Sequence, residues 1–412
     1  MTMLAILLDD LFIILQVITG AISTYQITIG LAGFFRKHER CVHAPEKSFA
    51  VIVAAHNEEL VIAPLLENLK RLDYPKEMFD IFVICDNCTD RTADIVRAHD
   101  LYAMERFNSE KRGKGHALEW MFEQLWKRKR QYDAVVIFDA DNLVSRNFLR
   151  EMNEKLVGGS KVVQAYLDTK NPYDSWVTIS YAVTYWFMNR MWQLARYNLK
   201  MANSLGGTGI CVDTDLLKEM GWNATSLTED VEFTARCVER EIYPSWAHNA
   251  IVYDEKPLTL ASSMKQRLRW MQGHFYCARH YFWPLLFKSV RTRNLSQFDA
   301  ALYLFQPMRL LIVAMTTLML YLQVATPLYD QLGLTKTLPN WFWWAINIAL
   351  YAQTPLAMII ERTPLKAYLG LLAYPVFLLT WIPVTVVAFF TSNNTEWSHT
   401  SHTRSMRIED VS

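Results

Sequence analysis

Asp139-Ala140-Asp141 sets two carboxylates two residues apart, directly after the apolar run Ala134-Val135-Val136-Ile137-Phe138. Both can reach one divalent cation. Mg2+ or Mn2+ takes such oxygen ligands and completes its shell with phosphate oxygens. Two further strand-like runs end the same way. Ile81 to Cys85 is closed by Asp86, and Phe49 to Ala55 leads into His56-Asn57-Glu58-Glu59. Thr228-Glu229-Asp230 opens a helical pattern through Val231, Phe233, Thr234 and Cys237. These residue types favour a helix start, and a carboxylate there can also serve as a general base toward a hydroxyl. Lys111-Arg112-Gly113-Lys114-Gly115-His116 is basic and leads into a helical run. Its side chains, or the helix N-terminus, suit a phosphate. The sequence has no G-x-x-x-x-G-K-[ST], which argues against a P-loop nucleotidase.

Short apolar runs alternate with helical patterns such as Leu60 to Leu69 and Thr92 to Ala98. That alternation predicts βαβ units and a mainly parallel sheet. Ligands of such sheets bind outside the carboxyl ends of the strands, where three acid or amide groups fall. Leu205-Gly206-Gly207-Thr208-Gly209 reads as a turn before Ile210-Cys211-Val212. Tyr253-Asp254-Glu255-Lys256-Pro257 is an acidic segment ending in a turn, with no role assigned.

The 412 residues carry 42 Lys+Arg against 41 Asp+Glu, so a general polyanion or nucleic-acid binder gets no support. Six cysteines form no secreted framework. Cys85-Asp86-Asn87-Cys88 has CxxC spacing but no second pair to complete a zinc site. Apolar residues concentrate at the two ends. Leu11 to Phe35 is free of charge and long enough to span a bilayer. Arg36-Lys37-His38-Glu39-Arg40 follows it, so the N-terminus is expected outside and the rest of the catalytic region in the cytoplasm. No cleavable signal peptide is expected. Leu310 to Tyr329 and Thr337 to Ile360 read as further spans. Ala367 to Phe390 is long enough to cross, but Pro375 and Pro383 favour an interfacial or re-entrant helix with a cytoplasmic tail. The expected divisions are residues 1–40, a transmembrane helix and basic flank; 41–261, a cytoplasmic domain; 262–297, an interfacial amphipathic helix; 298–392, transmembrane and interfacial helices; and 393–412, a polar tail.

At the junction lies Gln266-Arg267-Leu268-Arg269-Trp270, with Phe275, Tyr276, Tyr281, Phe282 and Trp283 close behind. A cationic, aromatic run of this kind suits a helix on the cytoplasmic leaflet.

Asp86, Asp139-Ala140-Asp141, Thr228-Glu229-Asp230 and Gln266-Arg267-Leu268-Arg269-Trp270 occur in that order. The set resembles the D, D-x-D, T-E-D and Q-x-x-R-W motifs of membrane-integrated inverting glycosyltransferases of family 2, which include cellulose, chitin, hyaluronan and poly-N-acetylglucosamine synthases. The resemblance covers about residues 48–290. It implies an α/β GT-A-type, Rossmann-like cytoplasmic domain joined to transmembrane and interfacial helices. Asp86 with Asn57 and Glu58 would hold the uracil and ribose of a UDP-sugar, with UDP-GlcNAc or UDP-Glc foremost. Lys114 would meet the diphosphate. Asp139 and Asp141 would engage Mg2+ or Mn2+ and the donor. Asp230, beside Glu229, would be the base. Gln266, Arg269 and Trp270 would bound the acceptor and diphosphate site, and Gly207 and Thr208 would lie in an acceptor loop. Trp397, Thr400, His402 and Arg404 in the tail would form a gate over the nucleotide. The implied reaction is β-glycan synthesis, with transfer of one sugar to a membrane lipid as the alternative. A growing glycan or lipid acceptor, membrane lipids, and a second copy or accessory subunit are the candidate partners. Here Cys85 stands where many relatives carry a second acid.

Overall fold

The structure, a computed structural model, describes residues 3–36, 39–223, 225–325, 338–393 and 404–411. A long apolar helix, α1 (Met3–Leu31), precedes the sheet domain. Strands β1 (Phe49–Ala55), β2 (Phe79–Asp86), β3 (Tyr102–Arg106) and β4 (Ala134–Asp139) alternate with α2 (Ile62–Lys70), α3 (Thr92–Ala98) and α4 (Lys114–Trp126). Then follow β5 (Leu143–Val144), α5 (Phe148–Val157), β6 (Val162–Thr169), α6 (Trp176–Phe187), a π-helical stretch at Met188–Leu194, and α7 (Ala195–Asn198). The domain closes with β7 (Ile210–Asp213), α8 (Thr214–Met220), α9 (Glu229–Glu239) and β8 (Ser245–Asp254).

The eight strands form one sheet in the order β3-β2-β1-β4-β7-β6-β8-β5. β1 runs parallel to β2 and β4, with Ala55 beside Cys85 and Ala54 beside Asp139. This register brings the carboxyl ends of the three strands, and hence Asn57, Asp86 and Asp139, to one edge. As expected the sheet is mainly parallel, with β2–β3 and β6–β8 also parallel, but its other half adds antiparallel pairings. β7 is antiparallel to β4 and β6, and β5 is antiparallel to β8. β1, β2 and β4 are buried on both faces and read as nearly continuous apolar runs. Leu65, Leu69, Phe148 and Met152 cover one face, and Leu118, Met121, Leu217 and Phe233 cover the other.

Beyond the sheet lies α10 (Leu260–Thr292), a 33-residue helix that carries the Gln266 to Trp270 run. It is followed by α11 (Leu295–Leu304), α12 (Gln306–Ala325), α13 (Asn340–Ile360), α14 (Gly370–Leu379) and α15 (Trp381–Thr391). Among the described residues, Asp9–Phe34, Asn340–Ile360 and Leu365–Thr391 are long and apolar enough to cross a membrane. The described part of the second expected span, 310–325, lies within the single helix α12. α11 and the start of α12 meet at a bend of 64°, and Pro307 sits in the first turn of α12, where its missing N–H is tolerated. The remainder of that expected run, from 326, lies outside the described residues.

α15 runs alongside α10. Arg267 reaches Thr380, Phe275 meets Phe389, and Arg279 meets Asn393, so contacts advance together along both helices. The π-helical stretch ties the sheet to the apolar helices. Asn189 donates to Leu167 O at 2.7 Å, while Arg190 pairs with Glu361 at 3.0 Å, just beyond α13.

Candidate active site

Each acid along the parallel edge has a partner. Arg106, buried at the end of β3, donates to Asp86 Oδ1 at 2.5 Å and to Lys111 O at 2.6 Å. Asn57 adopts a left-handed φ of 54° and its side chain accepts from Thr89 N at 2.8 Å. Glu58 N donates to Thr92 Oγ1 at 2.9 Å, which fixes the turn after β1. Gly113, with φ 107°, turns the basic loop into α4. Lys114, at the start of that helix, forms an ion pair with Asp139 and donates to Gly207 O at 2.7 Å. Burial works against its charge, yet Asp139, Glu229 and Asp230 together hold the ammonium above its usual range. Asp141 Oδ2 accepts from Glu255 N at 2.9 Å, and Lys170 Nζ donates to Asp141 O at 2.9 Å. Thr208 Oγ1 donates to Asn142 Oδ1 at 2.5 Å and to the same corner contributes a contact with Asp139 N at 3.2 Å.

Glu229 and Asp230 sit differently. Burial raises Asp230 to about 7, and the neighbouring Glu229 pushes the same way, with Lys114 opposing. Burial likewise raises Glu229, against the pull of Lys114 and Arg269. Gly207 lies against Asp230: a Cβ there would come within 3.6 Å of Oδ2, and its φ of 80° disfavours a side chain.

α10 closes the other side. Gly273 lets it approach the Thr228 turn, because a Cβ would lie 2.5 Å from Thr228 Oγ1 and 2.7 Å from Thr228 N. Gln266 Oε1 accepts from Tyr181 O–H at 3.4 Å, and Trp270 makes an edge contact with the Tyr181 ring at 6.3 Å. Arg269 Nε is buried and finds no hydrogen-bond partner among the described residues. Arg267, wholly buried, reaches Thr380 Oγ1 at 2.9 Å and lies over the rings of Phe377 and Trp381. It belongs to the attachment of α10 rather than to the open site.

Trp397, Thr400 and His402 lie outside the described residues. Arg404 is described and touches the domain. Its N–H donates to the Glu255 carboxylate at 3.1 Å, and its guanidinium lies 3.5 Å from Asp174. Sequence reasoning missed Arg106 and Lys170, single charges at strand ends with no motif around them. Glu255 belongs to the acidic segment Tyr253 to Pro257, to which the sequence pattern assigns no role.

A cation fits this site by its donor chemistry. Asp139 already pairs with the Lys114 ammonium, and Asp141 offers a second carboxylate on the same turn. Among the described residues there is no cluster of three His, Cys, Asp or Glu able to hold a metal without a ligand's help. Two protein carboxylates completed by diphosphate oxygens is an arrangement Mg2+ adopts.

The model of the glycosyltransferase-like family 2 matches residues 45–273. The chain belongs to this family. It is therefore a family 2 glycosyltransferase. A probable glycosyltransferase, YdaM of Bacillus subtilis, is 25% identical over 83% of this chain and 82% of its own. The beta-monoglucosyldiacylglycerol synthase of Nostoc is 28% identical over 62% of this chain and 54% of its own. This chain thus spans about half the length of that lipid glucosyltransferase. The poly-beta-1,6-N-acetyl-D-glucosamine synthase of Staphylococcus epidermidis is 24% identical over 66% of this chain and 67% of its own. Among solved structures, the mannosyltransferase PcManGT of Pyrobaculum calidifontis, in complex with GDP-Man and Mn2+, superposes with a TM-score of 0.54. It is 19% identical and covers 90% of this chain and 99% of its own. The fold is accordingly of the GT-A type, with a Rossmann-like α/β core.

Proposed function

We propose that this family 2 glycosyltransferase is a membrane-integrated, inverting enzyme that uses a UDP-sugar to form β-glycosidic bonds, extending a glycan chain. The observation that carries the reading is the Asp230 carboxylate, raised to about 7 and facing Gly207, opposite the Lys114 and Asp139 pair. A base poised near neutral pH suits proton transfer from a hydroxyl. The acceptor hydroxyl forms a new bond to the anomeric carbon as the bond to the UDP oxygen breaks on the opposite face. Asp230 takes the hydroxyl proton. Lys114 and the unpaired Nε of Arg269 meet the charge that builds on the diphosphate. A Mg2+ or Mn2+ held by Asp139 and Asp141 would add Lewis-acid neutralisation of the same charge. Asp86, Asn57 and Glu58 would bind the nucleoside, with Arg106 fixing Asp86.

Gln266 and Trp270 would hold the acceptor beside Gly207 and Thr208. The tail, with Trp397, Thr400, His402 and Arg404, would gate the donor side. Docking of Arg404 on Glu255 supports a cytoplasmic tail, and the side-by-side course of α10 and α15 supports an interfacial setting for both. In this reading the catalytic domain is cytoplasmic, on an integral membrane anchor. Transfer of a single sugar to a lipid is the second reading, favoured by the similarity to diacylglycerol glucosyltransferases. A UDP-release screen across UDP-sugars with Mg2+ and Mn2+, followed by sizing of labelled product, tests both. Long chains are expected; one-sugar lipids would replace the first reading by the second, and no release with any UDP-sugar would remove both.

A further inference from the structure

A groove of about 410 Å³ opens on the catalytic domain with none of the site residues in its walls. Five cations line it, Lys70, Arg71, Lys76, Arg146 and Arg150, against one acid, Asp73. The excess is only partly offset within the groove. Asp73 pairs with Arg150 at 3.0 Å. Lys76 donates to Lys70 O at 2.5 Å and Leu72 O at 3.1 Å, which neutralises the carbonyl end of α2. Its ammonium is held below the usual range by burial and then by the Arg146 guanidinium, with Asp73 opposing. Two cations thus crowd one another in a concave surface.

A distant acid already answers that charge. Arg71 pairs at 2.9 Å with Glu409, in the same C-terminal segment whose Arg404 N–H rests on Glu255. Glu255 in turn holds Asp141 through its own N–H. One short stretch of chain therefore links the basic groove to the acid proposed to engage the donor.

We propose that the groove binds a multiply charged phosphate anion, which displaces Glu409 from Arg71 and loosens the C-terminal segment from Glu255. The volume falls in the range of small-ligand sites. Arginine forks match phosphate oxygens better than they match one exposed carboxylate. The Arg71–Glu409 pair has both side chains more than half exposed, so it is readily displaced. A free polyphosphate and a lipid phosphate headgroup share this chemistry. The consequence for catalysis rests on the gate reading above; the anion site itself does not.

The test uses the full-length protein in phosphatidylcholine nanodiscs without divalent metal. Hydrogen exchange of the amides of residues 405–410 is followed as inorganic tripolyphosphate is added. In a second arm, phosphatidic acid replaces part of the phosphatidylcholine. Exchange is expected to quicken about fivefold in at least one arm, and the effect to weaken as salt shortens the Debye length. A response to tripolyphosphate alone assigns the free anion; a response to phosphatidic acid alone assigns the headgroup. Lys70→Glu combined with Arg146→Glu should raise the concentration needed about tenfold. Unchanged exchange in both arms, or an equal response in the double variant, overturns the proposal. Truncation after Thr403 separates the two readings. Unaltered donor KM in the truncated protein would remove the gate, while tripolyphosphate binding that still depends on Lys70 and Arg146 would leave the groove standing.

Discussion

The acids of the parallel edge and the acids of the Thr228 turn are treated in opposite ways by the fold. Asp86 has Arg106, Asp139 has Lys114, and Asp141 has the Glu255 N–H. Each has its geometry fixed by that partner. Glu229 and Asp230 sit half-buried beside each other, and desolvation raises both. The first group is built to hold, the second to react. A carboxylate that must accept a proton gains from losing its partners, and one that must orient a ligand gains from keeping them.

Exchanging one atom of the reacting pair should have the largest effect. Asp230→Asn is expected to lower transfer by about 10³-fold, within the range for a general base, with UDP affinity near wild type. UDP release and calorimetric UDP binding measure the two halves. The same variant should be more stable at neutral pH. Asp230 titrates about 7 when folded and near the ordinary aspartate value when unfolded, so the folded state binds more protons between those limits. Its stability contribution is present at low pH and is lost as pH rises through about 7. A melting temperature for Asp230→Asn at or below wild type at pH 8 would contradict this.

Breaking the holding group should cost structure. Arg106→Met leaves Asp86 buried and unpaired, and a loss of about 3 kcal/mol is expected in denaturant unfolding, together with weaker nucleotide binding. The pH profile sharpens the contrast further. The rate should fall as pH drops below about 7, because protonated Asp230 cannot act as base, and the residual rate of Asp230→Asn should lack that limb. The smallest effect is expected at the contact between the two elements of the reacting side. Gly273→Ala forces α10 away from Thr228. A loss of about tenfold in kcat, with donor KM less affected, would reflect displacement of Arg269 and Trp270.

How much of this was legible follows the same division. Asp86 and Asp139 could be placed because they end buried strands, and strand runs are written in consecutive apolar residues. Asp230 could be placed because Thr228-Glu229-Asp230 opens a helix as well as a site. Their meeting in space was legible only through the order of the motifs. Arg106 and Lys170 left no pattern, since a lone charge at a strand end is ordinary until its partner is known. The antiparallel insertion of β7 was equally hidden. Its residues, Ile210 to Asp213, have the same apolar character as a parallel strand, and its direction depends on the path through α6 and the π-helical stretch. The role of Glu255 required the return of the tail from the far end of the chain.

α10 is one unbroken helix of 33 residues, despite Pro284 within it. At 1.5 Å per residue it is a rod of about 50 Å. Trp270 lies near one end, while Trp283, Phe287 and Val290 stand exposed toward the other. A tilt of about 5° at that outer end carries Trp270 through about 3 Å, several times the tolerance of a catalytic arrangement. In the proposed membrane setting the lever would make the thickness and lateral pressure of the lipid an input to reaction rate, and turnover in bilayers of graded acyl length should trace an optimum rather than a plateau.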